Sequence, residues 1–209
     1  MEQNFAQTRQ KSRDKSEEVL DIATEYFLTH GYDGASINAM ARASGISKES
    51  IYRYFSSKED LFEAVIDRQL EVYQERMQIV DMDYKNMDLI DALTRVAETI
   101  LEIVISDRSL AMRRLLFQMT ARGSDVGKHY YKIGPDVAFR ELNKIFDYHK
   151  DRIRLKPKKL AEYFIASVLY FPMLERECGM SKPLTRTKIK RLVRETVNDF
   201  ATAYLSKAT

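Results

Sequence analysis

The chain has 209 residues, of which 44% are hydrophobic and 31% are charged, a composition typical of a globular protein with one medium domain or with a small domain joined to a larger one. Its net charge of +3, from 34 basic and 31 acidic residues, is too small to indicate a nucleic-acid partner by itself, so any basic surface must be local. Only seven glycines and four prolines accompany nine methionines, twelve tyrosines and ten phenylalanines, which favours an all-α protein.

The cellular compartment can be inferred from what the composition excludes. The single cysteine, Cys178, cannot form an internal disulfide, and this usage is typical of a reducing environment. The N-terminal residues contain no apolar run of the kind found in signal peptides. No stretch approaches the roughly 20 apolar residues that a membrane-spanning helix requires. We therefore expect a cytoplasmic protein without a membrane partner.

The first predicted helix covers about residues 10–30. Apolar residues recur on one helical face over residues 16–30, and the acidic Glu17 and Glu18 lie in the first turn of this pattern, where the helix dipole favours negative charge. Gly31 is a typical residue with which to end such a helix.

Two short helices are predicted next. Ser36 is placed to cap a helix over residues 37–44, which Gly45 would end. Ser47 is placed to cap a second one, KESIYRYF, with Ile51 and Phe55 facing inward because they are four residues apart. The spacing predicts two short helices joined by a tight turn.

A long fourth helix follows. The segment SSKE, from Ser56 to Glu59, has the pattern of a capping box and predicts a helix that runs to about Val80. Residues 10–55 therefore contain three helices, and the tight turn between the second and third is typical of a helix-turn-helix motif, whose last helix can enter the major groove of DNA.

The second short helix and its surroundings carry a local basic surface. Between residues 36 and 58 there are four basic residues and one acidic residue, a net charge of +3. The side chains predicted to face outward, wholly or in part, are Lys48, Glu49, Ser50, Tyr52, Arg53 and Tyr54. A solvated surface on a small three-helix unit is the alternative interpretation of the same pattern.

The segment GYDGASINAMARASGISKESIYRYFSSKEDLFEAVI (residues 31–66) resembles the DNA-binding domain of the tetracycline-repressor (TetR) family of transcriptional regulators. The resemblance extends over about residues 12–72, with the helix-turn-helix motif at about residues 35–54. It includes Gly31, Tyr32 and the turn from Ala41 to Gly45, and it continues through the start of the fourth helix at Ser57–Leu61.

The resemblance implies roles for individual residues. Ser36 corresponds to a phosphate contact, Ser47 and Lys48 open the recognition helix, and Ser50 lies where that helix approaches base edges. Tyr52 and Tyr54 resemble aromatic hydroxyls that hold the DNA backbone, Lys58 resembles a phosphate clamp, and Arg53 lies among these contacts. Glu49 departs from the family pattern, which often has Gly, Pro or Ala there; its carboxylate can either accept a hydrogen bond from cytosine N4 or point away from the phosphates.

The remaining sequence predicts further helices, over residues 87–106 and 109–121, from Gly134-Pro135 to about His149, over 160–177, and over 185–205. Residues 123–136 are expected to form a loop and a helix break, and Pro172 is expected to kink or end its helix. These helices define a second domain, residues 85–209, in an all-α protein.

For this second domain the resemblance implies effector binding and dimerisation, and residues 112–136 are similar to regulators of the multidrug-efflux-repressor branch. Apolar and aromatic side chains are candidates to line an effector pocket: Met112, Phe117, Met119, Tyr130, Tyr131, Phe164, Tyr170 and Met173. Ordinary core packing is the alternative for each of them. A stripe in the last helix is the candidate dimer interface, with packing against its own subunit as the alternative: Ile189, Val193, Val197, Phe200 and Tyr204.

No catalytic residues are proposed, because the three histidines and the cysteine lack metal-ligand spacing and no glycine-rich phosphate loop is present. We expect no cofactor and no metal. The sequence predicts a homodimeric DNA-binding repressor that recognises a near-palindromic operator and is released by a small apolar or amphipathic effector. A soluble helical protein that binds small molecules but not DNA is the alternative.

Overall fold

The computed structural model describes the backbone of residues 2–81 and 84–206 and the side chains of residues 15–76 and 84–206. Within these residues the regular structure is helical, and an isolated antiparallel bridge joins Ile153 to Leu205. The α-helices are α1 (Glu2–Gly34), α2 (Ile37–Ser44), α3 (Lys48–Tyr54), α4 (Lys58–Asp81), α5 (Leu89–Val104), α6 (Asp107–Ala121), α7 (Val126–Ile133), α8 (Pro135–Tyr148), α9 (Pro157–Glu177) and α10 (Arg186–Tyr204). The all-α prediction is confirmed.

Among the described helices, none combines the length and the apolar character that crossing a membrane requires.

The chain divides into two compact units. The N-terminal unit contains the residues up to Gln69 together with Arg114–Val126, and the C-terminal unit contains Leu70–Arg113 and the residues from Gly127 onward. Helices α4 and α6 therefore each contribute residues to both units. The predicted domains, 12–72 and 85–209, differ from this division because periodicity identifies the apolar face of a helix but not the element that covers it.

The N-terminal unit is built on an aromatic core. The Phe62 ring of α4 packs edge-on against Phe27 and Tyr32 of α1, with ring centroids 5.1 and 5.3 Å away. Phe27 and Phe62 are fully buried, and Arg68 of α4 donates a hydrogen bond of 3.0 Å to the Thr24 hydroxyl of α1. These contacts fix α1 against α4 and so provide the frame that carries α2 and α3.

The C-terminal unit has a larger core formed by α5, α8, α9 and α10. Three phenylalanines, Phe146, Phe164 and Phe200, form its centre, with Phe164 and Phe200 5.0 Å apart and both within 6.4 Å of Phe146. Burial of such rings is a large part of what stabilises a helical core.

The proposed dimer stripe of α10 requires a correction. Its side chains at Ile189, Val193, Val197 and Phe200 are buried in the core of their own chain, and Tyr204 is half-buried with its ring 5.0 Å from that of Phe200. Since α5 and α9 of the same chain cover this face, it is not available to a partner helix. The alternative, packing on the same subunit, describes the structure.

Two buried arginines hold the end of α5. Arg113 donates hydrogen bonds to the Val104 carbonyl (3.3 Å) and to Glu177 (3.1 Å), and Arg176 donates to the Ser181 carbonyl (2.8 Å) and pairs with Asp107. The last carbonyls of a helix lack partners within the helix and attract positive charge, so Arg113 stabilises the C-terminus of α5.

The structure also changes several predicted boundaries. The helix expected over residues 10–30 begins earlier, at Glu2, and Gly31, with φ of 72°, interrupts its regular backbone as predicted, before a short helical stretch that ends at Gly34. The region expected to be a loop, residues 123–136, contains the helix α7. Pro172 lies within α9, which continues to Glu177, so this proline does not end the helix.

Candidate nucleic-acid interface

Local capping sets the positions of α2 and α3. The Ser36 hydroxyl accepts a hydrogen bond from the Ala39 amide (3.1 Å), and the Ser47 hydroxyl accepts one from the Ser50 amide (3.1 Å). Gly45 ends α2 with φ of 72°, a left-handed conformation that costs glycine little. Both predicted caps and the predicted turn are confirmed.

The start of α4 is capped one residue later than predicted. The Ser57 hydroxyl, and not that of Ser56, accepts the bond from the Asp60 amide (3.0 Å), and the Asp60 carboxylate accepts from the Ser56 amide (2.7 Å). The capping pair is therefore Ser57 and Asp60, shifted by one position from Ser56 and Glu59. The two patterns are indistinguishable in the sequence SSKED because each has a serine and an acidic residue at suitable spacing.

Two apolar side chains anchor α3 to the N-terminal unit. Ile51 and Phe55 are 2% and 8% exposed, as predicted. The rest of the helix surface is polar or aromatic and at least partly accessible: Lys48, Glu49, Ser50, Tyr52, Arg53 and Tyr54. A short helix with two anchors and six accessible contact residues is suited to present side chains to a partner.

Aromatic rings and cations alternate on this surface. The Lys48 ammonium lies 5.6 Å from the centre of the Tyr52 ring, and the Arg53 guanidinium lies 5.5 Å from the centre of the Tyr54 ring. Such contacts orient long cationic side chains with little loss of exposure. The carboxylate of Glu49 is exposed on the same helix.

Lys58 has a structural role that the sequence did not indicate. Its ammonium donates hydrogen bonds to the carbonyls of Tyr32 (3.0 Å) and Ala35 (3.2 Å) at the end of α1 and lies 4.3 Å from the centre of the Tyr32 ring. An ammonium has three donors, so these two bonds leave one for another acceptor. A phosphate contact by Lys58 stays a prediction, and any substitution there also removes a link between α1 and α4.

Charged groups near this link shift one another's pKa values. Burial raises the pKa of the Tyr32 phenol, and the neighbouring Glu59 carboxylate raises it further. Asp33, next along the chain, accepts two hydrogen bonds of 2.6 Å from the Arg122 guanidinium, which lowers the pKa of this carboxyl. The Asp33–Arg122 pair was not predicted, because its members are 89 positions apart and neither belongs to a recognisable motif.

The candidate effector residues belong to both compact units. Phe117 and Met119 belong to the N-terminal unit, where Phe117 is 59% exposed and Met119 is buried. In the C-terminal unit, Phe164 is a core residue, Met112 is buried, Tyr130 and Met173 are half-buried, and Tyr131 and Tyr170 are 55% and 56% exposed. A pocket lined by these residues stays a prediction.

Tyr73 of α4 is a buried phenol that the pocket prediction omitted. Burial raises the pKa of this phenol, and the neighbouring Tyr130 contributes to the same shift. Tyr73 lies in the helix predicted to run to about Val80, and at helical spacing a core aromatic residue cannot be distinguished from one that lines a pocket.

Helix α9 presents an apolar stripe to the surface that was also not predicted. Tyr163, Tyr170, Phe171 and Leu174 are 38%, 56%, 69% and 42% exposed, and they recur at helical spacing. The sequence of α9 is apolar on nearly all sides, so it does not distinguish the buried side from this exposed one.

Three helices with a short, capped and outward-facing last helix make the N-terminal unit a helix-turn-helix domain. Family comparison makes the identification specific. The model for bacterial regulatory proteins of the tetR family matches residues 19–65, and the model for the C-terminal domain of AefR-like transcriptional repressors matches residues 91–206. The second match alone covers more than half of the chain, and the chain therefore belongs to the TetR family of bacterial regulatory proteins.

Relatives with curated functions match parts of the chain. The transcriptional regulator AcrR of Shigella flexneri is 25% identical over 112 residues, which are 54% of this chain and 50% of the relative. The transcriptional repressor AcnR of Corynebacterium glutamicum is 36% identical over 55 residues, which are 26% of this chain and 29% of that protein. The matched segments thus span half or less of these relatives.

Solved structures share the fold over nearly the whole chain. A TetR-family transcriptional regulator from Mesorhizobium loti has a TM-score of 0.78 at 23% identity, covering 93% of this chain and 98% of its own. The flavonoid-responsive regulator FrrA has a TM-score of 0.71 at 24% identity, covering 93% and 99%. At these identities the likeness establishes the fold alone.

Proposed function

We propose that this chain is a sequence-specific DNA-binding transcriptional repressor that acts as a homodimer and is released by a small apolar or amphipathic effector. The observation that carries the proposal is the surface of α3. This helix exposes six polar or aromatic side chains, wholly or in part, while Ile51 and Phe55 anchor it to the N-terminal unit. Membership of the TetR family supports it. The residues proposed to contact DNA are Ser36, Ser47, Lys48, Glu49, Ser50, Tyr52, Arg53, Tyr54 and Lys58.

Two kinds of contact are expected in this interface. Hydroxyl and ammonium groups at the ends of α2, α3 and α4 are suited to phosphate oxygens, which position a protein on DNA without reading its sequence. Side chains in the middle of α3 are suited to base edges, which carry the sequence information.

A gel shift and a footprint on the DNA upstream of the chain's own coding region test the DNA-binding proposal. We expect a protected, near-palindromic site and a binding constant that falls with salt, because phosphate contacts release counterions. If the chain binds small molecules but binds neither this region nor any sequence selected from random DNA, the alternative holds. The protein is then a helical small-molecule-binding protein without DNA-binding function.

A dimer is proposed through the exposed stripe of α9 in place of the buried stripe of α10. Two recognition helices reach successive major grooves on one face of DNA when they lie about 34–36 Å apart, which a two-fold dimer achieves with one short domain per chain. Tyr163, Tyr170, Phe171 and Leu174 supply an apolar surface for such an interface, since large exposed apolar patches typically mark contacts between proteins.

Light scattering at micromolar protein concentration tests this interface. Phe171→Asp, at the most exposed residue of the stripe, should give a folded monomer with weakened operator binding. Val72→Asp is the matched control, because Val72 is also an exposed apolar residue, 52% accessible, but lies on α4. Equal association of both variants and the wild type would contradict the α9 interface.

The effector is proposed to bind within the C-terminal unit near Tyr130. This residue is half-buried, and Tyr73 of the same unit is buried, so the unit holds two phenol hydroxyl groups that are at most partly accessible to water. Apolar pockets with a few polar groups are typical of small-molecule sites. Helices α4 and α6, which contribute to both units, are the proposed route by which binding alters the DNA-binding unit.

A further inference from the structure

The recognition helix α3 contains a chain of hydrogen bonds that its own backbone does not require. The Ser47 hydroxyl caps the helix by accepting from the Ser50 amide and is 3.0 Å from the Ser50 hydroxyl, to which it donates. The Arg53 Nη2 group donates to the same Ser50 hydroxyl at 2.9 Å. We call these three residues, Ser47, Ser50 and Arg53, the Ser-Ser-Arg chain.

The Ser-Ser-Arg chain holds an exposed arginine in a defined orientation. Its guanidinium is bonded to Ser50 on one side and lies against the Tyr54 ring on the other. A surface arginine normally samples many rotamers, and ordering it on binding lowers affinity. Here part of that ordering has already occurred in the free protein.

The held guanidinium keeps most of its hydrogen-bonding capacity. A guanidinium has five N–H donors, so the bond to Ser50 leaves about four for a ligand. The Ser50 hydroxyl accepts from both Ser47 and Arg53, and its own proton therefore remains to be donated outward. The surface consequently presents donors to an acceptor-rich partner.

The position of Arg53 on the helix directs it into the groove. Arg53 follows the buried Ile51 by two residues, which is about 200° around the helix axis. Its side chain therefore leaves α3 on the face opposite the core of the unit. When α3 lies in a major groove, this face is the one nearest the base edges.

We propose that Arg53 reads a guanine in each half of the operator and that Ser50 is a positioning residue that holds the guanidinium for this contact. The proposal rests on the DNA-binding function proposed above and adds to it the identity of one recognised base. Among base edges, guanine alone presents two major-groove acceptors, O6 and N7, that match the paired donors of a guanidinium. A free lysine at this position would supply charge without that geometry.

The test is a selection from randomised DNA with the full chain, followed by binding to operators changed at single base pairs. The variants are Arg53→Lys, Ser50→Ala and Ser50→Thr, with Arg42→Lys as the matched control, since Arg42 is an exposed arginine of the preceding helix. Thermal melts of all four establish that they remain folded, which is expected because the altered side chains are wholly or partly accessible.

For the wild type we expect one guanine per half-site whose replacement weakens binding by about 5–150-fold. Arg53→Lys should remove the preference at that base pair and leave the others intact, whereas Arg42→Lys should leave every preference intact. Ser50→Ala should reduce the preference at the same base pair, and Ser50→Thr, which keeps a hydroxyl, should restore it.

Two results would overturn the proposal and are distinguishable from each other. If Arg53→Lys weakens all DNA sequences alike, with unchanged base preferences, Arg53 is a phosphate contact and the guanine assignment is wrong while the DNA-binding function stands. If the wild type selects no sequence from random DNA, the proposed function fails and the guanine assignment fails with it.

Discussion

Helices α3 and α10 are both amphipathic, but their apolar residues are held by different partners and serve different purposes. In α3, two apolar side chains fix the helix to the N-terminal unit and the remaining surface stays accessible. In α10, Ile189, Val193, Val197 and Phe200 are all buried in the C-terminal core. An apolar stripe thus predicts that a helix face is buried but does not identify the element that covers it. A short capped helix with few apolar anchors, in contrast, predicts a surface that is accessible for contact.

The largest effect expected from this comparison is on folding of the C-terminal unit. Phe200→Asp removes a ring packed against Phe146 and Phe164 and places a carboxylate in the core. Loss of a buried phenylalanine alone costs about 3–5 kcal/mol, and the unpaired charge adds to it. Urea unfolding followed by far-UV circular dichroism should therefore show a strongly destabilised or unfolded protein.

The control for this prediction is Phe171→Asp on the exposed stripe of α9. Because Phe171 is 69% exposed, this variant should keep its helix content while its association changes. A folded, monomeric Phe200→Asp protein would show that the stripe of α10 serves the dimer after all and would reverse the comparison.

Helices α3 and α10 also show which features of the structure could be predicted from the sequence. The caps Ser36 and Ser47, the turn at Gly45 and the anchors Ile51 and Phe55 were predicted because each depends on residues within four positions of it. The direction in which α10 and α9 face depends on contacts with helices far away in the chain, and periodicity carries no information about them.

Within the site, too, local features were predictable and contacts between distant segments were not. The outer face of α3 was predicted, but the hydrogen bonds of Lys58 to the carbonyls of Tyr32 and Ala35 were not, because they join residues 26 and 23 positions apart. The pairing of Asp33 with Arg122 was missed for the same reason. Local chemistry was thus predictable, and the links between distant segments required the structure.

The second largest effect concerns coupling between the two units. A ligand shifts an equilibrium only through a difference in its affinity for the two states, and allosteric coupling is typically about 1–3 kcal/mol, or 5–150-fold in affinity. A ligand found by thermal shift should therefore bind more weakly by such a factor when saturating operator DNA is present. Titration calorimetry with and without operator measures this difference.

Scrambled DNA of equal length is the control for that titration, because coupling should require the operator-bound state of the helix-turn-helix unit. The reciprocal measurement, operator affinity with and without ligand, must give the same factor. Equal ligand affinities in the presence of operator and of scrambled DNA would mean that the C-terminal unit does not regulate DNA binding.

A third, smaller effect tests the local chemistry of the N-terminal unit. Gly45→Ala places a side chain at φ of 72°, which costs about 1–2 kcal/mol for a residue other than glycine. Operator affinity should fall as well, since this turn sets the angle between α2 and α3. Thermal melting and a gel shift measure the two effects.

Gly34→Ala is its matched control. Gly34 has no positive φ, and an added methyl group would lie 3.5 Å from the Cβ atom of His30, an ordinary contact. Because alanine restricts the unfolded chain more than glycine does, this variant should be neutral or more stable by up to about 1 kcal/mol. Equal losses from both substitutions would show that the turn at Gly45 is not specifically required.

The smallest expected effect concerns the Asp33–Arg122 pair within the N-terminal unit. Both side chains are largely exposed, so the pair contributes little at neutral pH and less in high salt. The hydrogen bond from Arg122 lowers the pKa of Asp33 in the folded protein. The contribution of the Asp33–Arg122 pair to the free energy of unfolding is therefore complete above the ordinary pKa of an aspartate. It disappears as the pH falls through the lower pKa that Asp33 has in the folded protein.

A double-mutant cycle with Asp33→Asn, Arg122→Gln and the combined variant isolates this contribution, because it subtracts whatever each residue does independently. We expect a small positive coupling in the melting temperature at neutral pH and low salt, which vanishes in high salt and in acid. A coupling that grew as the pH fell would contradict the sign of the Asp33 pKa shift. A large coupling that persisted in high salt would show that this pair is shielded from solvent, as the buried Arg113 and Arg176 of the C-terminal unit are.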